Sequence, residues 1–236
     1  SQIIKCFAKL VGIKLHLMKN KYLLLASLCL STMTFAQERV SIIETFTSST
    51  CPPCAPGNVA LEGLLSNGQN DGKQVSLKYQ MSWPGNGDPY YTEEGGERRT
   101  TYGISGVPAT IVHGQTEYSP SSMTQNNLNS HYNIAPKANI SAVYQVVEAE
   151  QRVDVEIFVE MLEATPPGVR LFMGIFEYQT YNNQETNGET EFEHVMKKLI
   201  EGEGGKVMPP MQAGEVYHYP GSYTFNGNYR LPQSAQ

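Results

Sequence analysis

Between residues 40 and 132 the apolar positions follow a pattern typical of strands that alternate with helices. An apolar run at residues 40–46 predicts a strand, and residues 74–79 alternate as a second strand. Residues 51–65 between them predict a helix with a break near Pro56-Gly57. These features predict a sheet with a helix packed against it.

The pattern continues after an irregular stretch at residues 81–87. Asp88 followed by Pro89 is typical of a helix start, an N-cap and then proline at the first position, and that helix would run to about residue 102. Further strands and a helix are predicted at residues 108–112, 116–118 and 122–132. The order is therefore β-α-β-α-β-β-α.

From residue 138 onward apolar residues recur at every second position, in runs at 138–146, 153–161 and 169–175. Turn residues such as Thr165-Pro166-Pro167-Gly168 separate the runs. This pattern predicts a mainly antiparallel, sandwich-like β region. Residues 191–200 fit either a short helix or another strand.

These patterns predict an α/β fold, with a central mixed sheet flanked by helices at 37–133 and a β-rich domain at 134–236. No closing strand or turn is predicted around Leu231-Pro232, so we expect the C-terminus to be incomplete.

Residues 1–36 have the features of an upstream extension and a secretory signal peptide. Lys19 and Lys21 precede the apolar run 22–30, and Thr34-Phe35-Ala36 is a plausible cleavage site. Met18 fits the true start, and the apolar run is shorter than the ~20 residues of a membrane-spanning helix. The alternative interpretation is an ordinary apolar N-terminal helix.

The charge distribution supports export and argues against nucleic acid as a ligand. Five of the 17 Lys and Arg residues precede residue 37 and none of the 23 Asp and Glu residues does, which leaves 12 against 23 and a formal charge of −11. Such a surface repels phosphates. A periplasmic, outer-membrane-associated or secreted location also permits disulfides.

Cys51 and Cys54 are the chemically most suggestive residues, since Cys6 and Cys29 lie in the expected targeting region. Two cysteines three positions apart at a helix start can form a disulfide, and the helix dipole favours the thiolate of Cys51. A structural disulfide is the alternative, although closing so short a loop adds little stability. No metal is expected, because zinc takes four ligands and His113 is the nearest further candidate.

A second stretch, residues 103–112, places Val107-Pro108 directly before a β-branched strand. A strand, a CxxC, a helix and a later Val-Pro together resemble the thioredoxin superfamily. The resemblance implies a cis Pro108 lying against the cysteine pair and substrate-binding roles for Thr50, Val107 and Pro108. An ordinary loop proline is the alternative.

The sequence from residue 40 onward also resembles the outer-membrane-protein-28-related, thioredoxin-like proteins of Gram-negative envelopes. The resemblance is carried by Glu44, Phe46-Thr47, Asp88-Pro89-Tyr90-Tyr91, the approach 102–108 and His194-Val195-Met196-Lys197-Lys198.

Two positions depart from the thioredoxin pattern. Thr50 stands where thioredoxins carry tryptophan, and Thr45 stands at the position of their buried acid. Glu44 is adjacent, but it would face the opposite side of the strand. Trp83, with Tyr90 and Tyr91, could line a peptide-binding surface, or could simply pack against the sheet.

We therefore expect an exported thiol–disulfide oxidoreductase in which Cys51 is the nucleophile and Cys54 the resolving thiol. It would need no cofactor beyond the cysteines. Its partners would be protein thiols and disulfides of the cell envelope and a redox partner protein, with no transmembrane span after signal removal. The alternative is a non-catalytic envelope or outer-membrane binding or assembly protein. The remaining polar candidates are expected to be structural or solvated: His131, His194, His218, Glu191, Glu193, Glu201 and Glu203.

Overall fold

The computed structural model describes residues 39–225. The expected signal peptide, its cleavage site and the last eleven residues therefore lie outside the described residues. Among residues 39–225, no helix is both long enough and apolar enough to cross a membrane.

The described chain contains three α-helices and eleven strands. The helices are α1 (Cys54–Leu65), α2 (Glu93–Thr101) and α3 (Gln125–Tyr132), with 3-10 turns at Gly68–Asn70, Pro120–Ser122 and Glu148–Glu150. The strands are β1 (Ser41–Thr47), β2 (Gln74–Gln80), β3 (Ala109–Val112), β4 (Thr116–Tyr118), β5 (Ala138–Val147), β6 (Arg152–Met161), β7 (Arg170–Leu171), β8 (Gly174–Thr180), β9 (Phe192–Leu199), β10 (Lys206–Val207) and β11 (Val216–Thr224).

The central sheet has six strands in the order β4-β3-β1-β2-β9-β8 and is mixed. β1 pairs with β2 in parallel and with β3 antiparallel, and β2 pairs with β9 in parallel. Residues of β1 are buried on both faces: Ile43 packs with Leu61 and Leu65 of α1, whereas Phe46 packs with Tyr79 on the other face. The predicted α/β class is confirmed.

Two strands of the central sheet come from far along the chain. β8 and β9 lie within residues 134–236, yet they extend the sheet that begins with β1. Residues 191–200 thus form a strand, one of the two predicted alternatives. The sequence gives no local signal for this pairing, because β2 and β9 are separated by more than 110 residues.

The other C-terminal strands form additional antiparallel sheets. β11, β6 and β5 make one sheet of three strands, and β10 pairs with β7. The predicted run at 169–175 is interrupted, since β7 ends at Leu171 and β8 starts at Gly174. A shared apolar cluster lies between these strands: Ile157, Val159, Met161, Leu171, Met173, Met208, Met211 and Tyr219.

The predicted start of each of the three helices was wrong, and the helix predicted from residue 122 begins at Gln125 as α3. α1 begins at Cys54 rather than Cys51 and runs through Pro56-Gly57 without a break, because proline in a first turn removes an N–H that has no helical partner. α2 begins at Glu93 rather than at Asp88. Thr92 is its N-cap, and its Oγ1 accepts a hydrogen bond from the Gly95 N–H at 3.2 Å.

Candidate functional site

Cys51 and Cys54 form a disulfide in the connection between β1 and α1, with Cα atoms 5.3 Å apart. The Cys51 N–H donates to the Ser48 carbonyl at 3.1 Å, and the Cys54 N–H donates to the Cys51 carbonyl at 3.0 Å. Two consecutive turns therefore hold the pair. Cys51 lies just before the first turn of α1, and Cys54 is its first residue.

The disulfide is closed to solvent. Cys51 is 1% exposed and Cys54 is 0% exposed. A polypeptide can reach the Cys51 sulfur only if the segments around it move apart.

Val107 and Pro108 lie against this pair, as the resemblance implied. Their peptide bond is cis, and the Val107 carbonyl oxygen is 3.6 Å from Cys51 Sγ. Gly57 of α1 makes this approach possible, because a Cβ there would meet Pro108 Cγ at 3.1 Å. The sequence thus places a small residue in α1 directly beneath the proline.

Thr50 is buried, and its hydroxyl is engaged within the protein. Thr50 Oγ1 donates to the Pro84 carbonyl at 2.6 Å and lies 2.8 Å from Ser48 Oγ. The Trp83-Pro84 peptide bond is also cis. Thr50 therefore ties the disulfide loop to the 81–87 stretch.

Asp88 has a different role from the predicted helix cap. Its carboxylate accepts hydrogen bonds from the N–H groups of Ser49 at 3.0 Å and Tyr90 at 2.8 Å. The buried Asn183 side chain also donates to it, at 3.1 Å. Asp88 thus joins the disulfide loop to the connection between β8 and β9.

The same β8–β9 connection supports the disulfide loop at further points. The Asn187 N–H donates to the Ser49 carbonyl at 2.9 Å, and its side chain donates to the Ser48 carbonyl at 3.1 Å. Asn58 of α1 donates to Thr47 Oγ1 at 2.9 Å and to Glu189 at 2.7 Å. Sequence reasoning missed Asn58, Asn183, Asn187 and Glu189, because no local pattern links residues that are 95 to 139 positions apart.

Glu44 faces away from α1, as predicted from strand alternation, and is nevertheless buried. Its carboxylate accepts two hydrogen bonds from Arg98, at 2.9 and 3.1 Å, and one from the Tyr79 hydroxyl at 2.8 Å. The Tyr102 hydroxyl also donates to it. Burial and the adjacent carboxylate raise the pKa of both tyrosines.

A second charged group lies between α1, β2 and β9. Lys78 Nζ is buried 2.7 Å from Glu62 Oε1, and ligand atoms of Glu62, Glu193 and His194 lie within 4.8 Å of one another. Burial raises the pKa of Glu193 to about 7, with a contribution from Glu62. The Lys78 ammonium already supplies the positive charge that a metal ion would bring here.

Three further histidines of residues 39–225 lie away from the disulfide, and the rings of His113 and His131 are 5.3 Å apart. His113 Nε2 is 3.1 Å from Ser41 Oγ, and burial lowers its pKa to about 4. His131 is hydrogen-bonded to the Tyr118 hydroxyl, and the exposed His218 pairs with Glu156. These contacts give no arrangement of nucleophile, base and acid.

The aromatic candidates are divided between two neighbourhoods. Trp83 packs against the apolar core together with Val107. The ring of Tyr90 instead lies under the Lys197 ammonium, 3.1 Å from the ring centroid, and Tyr91 is exposed. Trp83 and the segment that contacts the disulfide thus pack against the same apolar cluster.

The arrangement resembles two solved structures in fold. HBP35 of Porphyromonas gingivalis aligns with a TM-score of 0.58 at 13% identity, over 80% of this chain and 65% of that one. Protein AGR_C_4864 from Agrobacterium tumefaciens aligns with a TM-score of 0.50 at 18% identity, over 80% of both chains. No family model matches the sequence, and a comparison with curated proteins gives no match. Identities this low indicate a shared fold alone.

Proposed function

We propose that this chain is an exported, thioredoxin-like thiol–disulfide oxidoreductase that acts on protein disulfides through Cys51 and Cys54. The observation that carries the proposal is the contact between the CxxC disulfide and the cis Val107-Pro108 segment, 3.6 Å from Sγ to the carbonyl oxygen. The signal-peptide features of residues 1–36 and the resemblance of the sequence to envelope proteins support a periplasmic, outer-membrane-associated or secreted location.

In the reducing direction, the Cys51 thiolate attacks one sulfur of a substrate disulfide. A mixed disulfide forms, the substrate S–S bond breaks, and the leaving sulfur departs as a thiolate that takes a proton from water. Cys54, as thiolate, then attacks the Cys51 sulfur and releases the second substrate thiolate. Two electrons pass to the substrate, and a redox partner protein must return them.

The test is turnover of a protein disulfide by the wild-type chain and two single variants. Cys51→Ser should abolish turnover, because the attacking sulfur is gone. Cys54→Ser should accumulate a mixed disulfide that intact-mass measurement detects. Full disulfide-reductase activity in Cys51→Ser would exclude this mechanism.

The burial of both sulfurs favours a second candidate, a non-catalytic binding or assembly protein with a structural disulfide. The two candidates differ in the reduction potential of the pair, measured by titration against glutathione with thiol alkylation. A value near about −270 mV indicates a reductant and one near about −120 mV an oxidant. A pair that resists reduction throughout, with partner capture unchanged in a Cys51/Cys54 double variant, supports the binding protein.

A further inference from the structure

An open cavity of about 720 Å³ lies between the 81–83 segment, α2 and the connection after β9. The mechanism proposed above does not use it. Its principal lining side chains are two aromatic rings, three carboxylates and one guanidinium: Trp83, Tyr91, Glu93, Glu97, Glu203 and Arg99.

The cavity is connected to the disulfide through a shared wall. Trp83 and Val107 each pack against the same apolar core cluster, and the Val107 carbonyl oxygen lies 3.6 Å from Cys51 Sγ. The next residue, Pro84, accepts the hydrogen bond of Thr50, the immediate neighbour of Cys51. A polypeptide that reaches Cys51 after the covering segments move apart would pass close to Pro84 and Trp83, and Trp83 lines the cavity.

The aromatic walls offer an apolar surface to such a side chain. Trp83 is half-buried, and Tyr91 is 38% exposed. Tyr91 lies directly on α2 because Gly96 has no side chain; a Cβ there would be 2.4 Å from the Tyr91 hydroxyl oxygen. The ring is thus fixed in place by the helix and still accessible from the cavity.

The net charge of the side chains that line the cavity determines which ligand charge it favours. The guanidinium of Arg99 is already engaged, since it donates to the Ile104 carbonyl at 2.6 Å and to Thr100 at 3.2 Å. Glu97 lies close enough to Glu203, and to Glu93, for repulsion between the carboxylates to raise its pKa. Three carboxylates against one engaged guanidinium leave a formal charge of −2. A cation would relieve the repulsion.

We propose that this cavity binds a lysine or arginine side chain of the disulfide-bearing polypeptide, close in sequence to the cysteine that Cys51 attacks. The aliphatic stem would lie along Trp83 and Tyr91, and the charged end would meet Glu97 and Glu203. The formal charge of −11 from residue 37 onward would attract such a substrate at longer range. The proposal rests on the proposed function, because it names the substrate of the same site.

The experiment compares three disulfide-bonded peptides that differ at one position near the cysteine, with lysine, glutamine or glutamate there. The full chain should reduce the lysine peptide with a kcat/KM roughly tenfold above that of the glutamate peptide at low ionic strength, mainly through KM. Added salt should narrow the difference.

The variant Glu97→Gln/Glu203→Gln should lose most of this preference, whereas the matched control Glu117→Gln/Glu191→Gln, at two exposed carboxylates outside the cavity, should keep it. Equal kcat/KM for the three peptides in the wild-type chain would overturn the proposal. So would an unchanged preference in the cavity variant.

If no peptide disulfide is reduced, the proposed function fails. Peptide binding, measured by fluorescence anisotropy, then tests independently whether the cavity binds the lysine side chain. Tighter binding of the lysine peptide, weakened in the cavity variant, then supports the subsite. Equal or absent binding of the three peptides overturns it.

Discussion

At the scale of single residues, Glu44 is a buried carboxylate whose stability depends on its neighbours. It is 1% exposed, and its charge is compensated by Arg98 together with the hydroxyls of Tyr79 and Tyr102. A carboxylate is tolerated at such a place only when its oxygens are fully paired. All four side chains therefore have to be considered as one group.

Glu44→Ala should lower the free energy of unfolding by about 3–5 kcal/mol, because it leaves a buried guanidinium unpaired. Urea denaturation followed by circular dichroism measures the change. Glu163→Ala is the matched control, since its ion pair with Lys137 is exposed, 70% for Lys137 and 54% for Glu163. That substitution should cost less than about 1 kcal/mol. Equal losses in the two variants would contradict the assigned role of Glu44.

Strand alternation predicts on which face of β1 the Glu44 side chain lies, but it does not predict that this side chain is buried. Strand alternation places Thr45 and Glu44 on opposite faces, and the structure agrees: Thr45 bonds Thr110, and Glu44 bonds residues of α2. Arg98 and Tyr102 were recognisable as helix residues. Their approach to Glu44 depends on how α2 packs across the sheet, which no local pattern encodes.

At the scale of elements, α1 contains two glycines in contrasting surroundings. Gly57 faces the cis-proline segment, where an added Cβ would be 3.1 Å from Pro108 and 3.4 Å from Ser121. Gly63 has no heavy atom within 4 Å of an added Cβ. One helix thus supplies both a test position and its control.

Gly57→Val should destabilise the fold by about 1–3 kcal/mol, because its methyl groups would displace Pro108. Gly63→Val should change stability by no more than about 0.5 kcal/mol. Thermal unfolding of the oxidised chain measures both. The assigned contact between Gly57 and Pro108 is wrong if the two variants have the same melting temperature.

The elements themselves were largely predictable, and the starts of the helices were not. The predicted strand at 40–46 corresponds to β1 (Ser41–Thr47), and the one at 74–79 corresponds to β2 (Gln74–Gln80). The start of α2 was missed because Asp88 and Pro89 carry a convincing local signal. That signal is overridden by the hydrogen bonds of Asp88 to the disulfide loop and to Asn183.

At the scale of the whole molecule, the insertion of β9 beside β2 creates the group of Lys78, Glu62, Glu193 and His194. Burial would raise the pKa of Glu62, but the nearby His194, 3.5 Å away, and the charge of Lys78 outweigh it and lower that pKa to about 2. Glu193 shifts in the opposite direction, to about 7. Sequence reasoning treated Glu193 and His194 as structural or solvated and did not single out Glu62, because only the long-range pairing of β2 with β9 brings them together.

The raised pKa of Glu193 makes stability depend on pH with a defined sign. Its protonated form stabilises the folded chain below pH 4.5, and this contribution is lost as the pH rises from 4.5 to about 7. Glu193→Gln should therefore reduce the loss of stability between pH 5 and pH 7.5, measured by urea denaturation at each pH. Glu191→Gln, an exposed neighbour, should leave that slope as in the wild-type chain. A wild-type slope in Glu193→Gln would contradict the assignment.

Because β9 lies late in the sequence, the central sheet is completed late in the synthesis of the chain. The chain is synthesised from its N-terminus, so Cys51 and Cys54 leave the ribosome well before the residues that pair with β2 and brace the disulfide loop. During that interval the edge of β2 is open, and the two thiols lie in a loop without its later supports. An oxidising compartment can therefore form the Cys51–Cys54 disulfide before the fold closes over it. A chaperone that shields the β2 edge would act during the same interval.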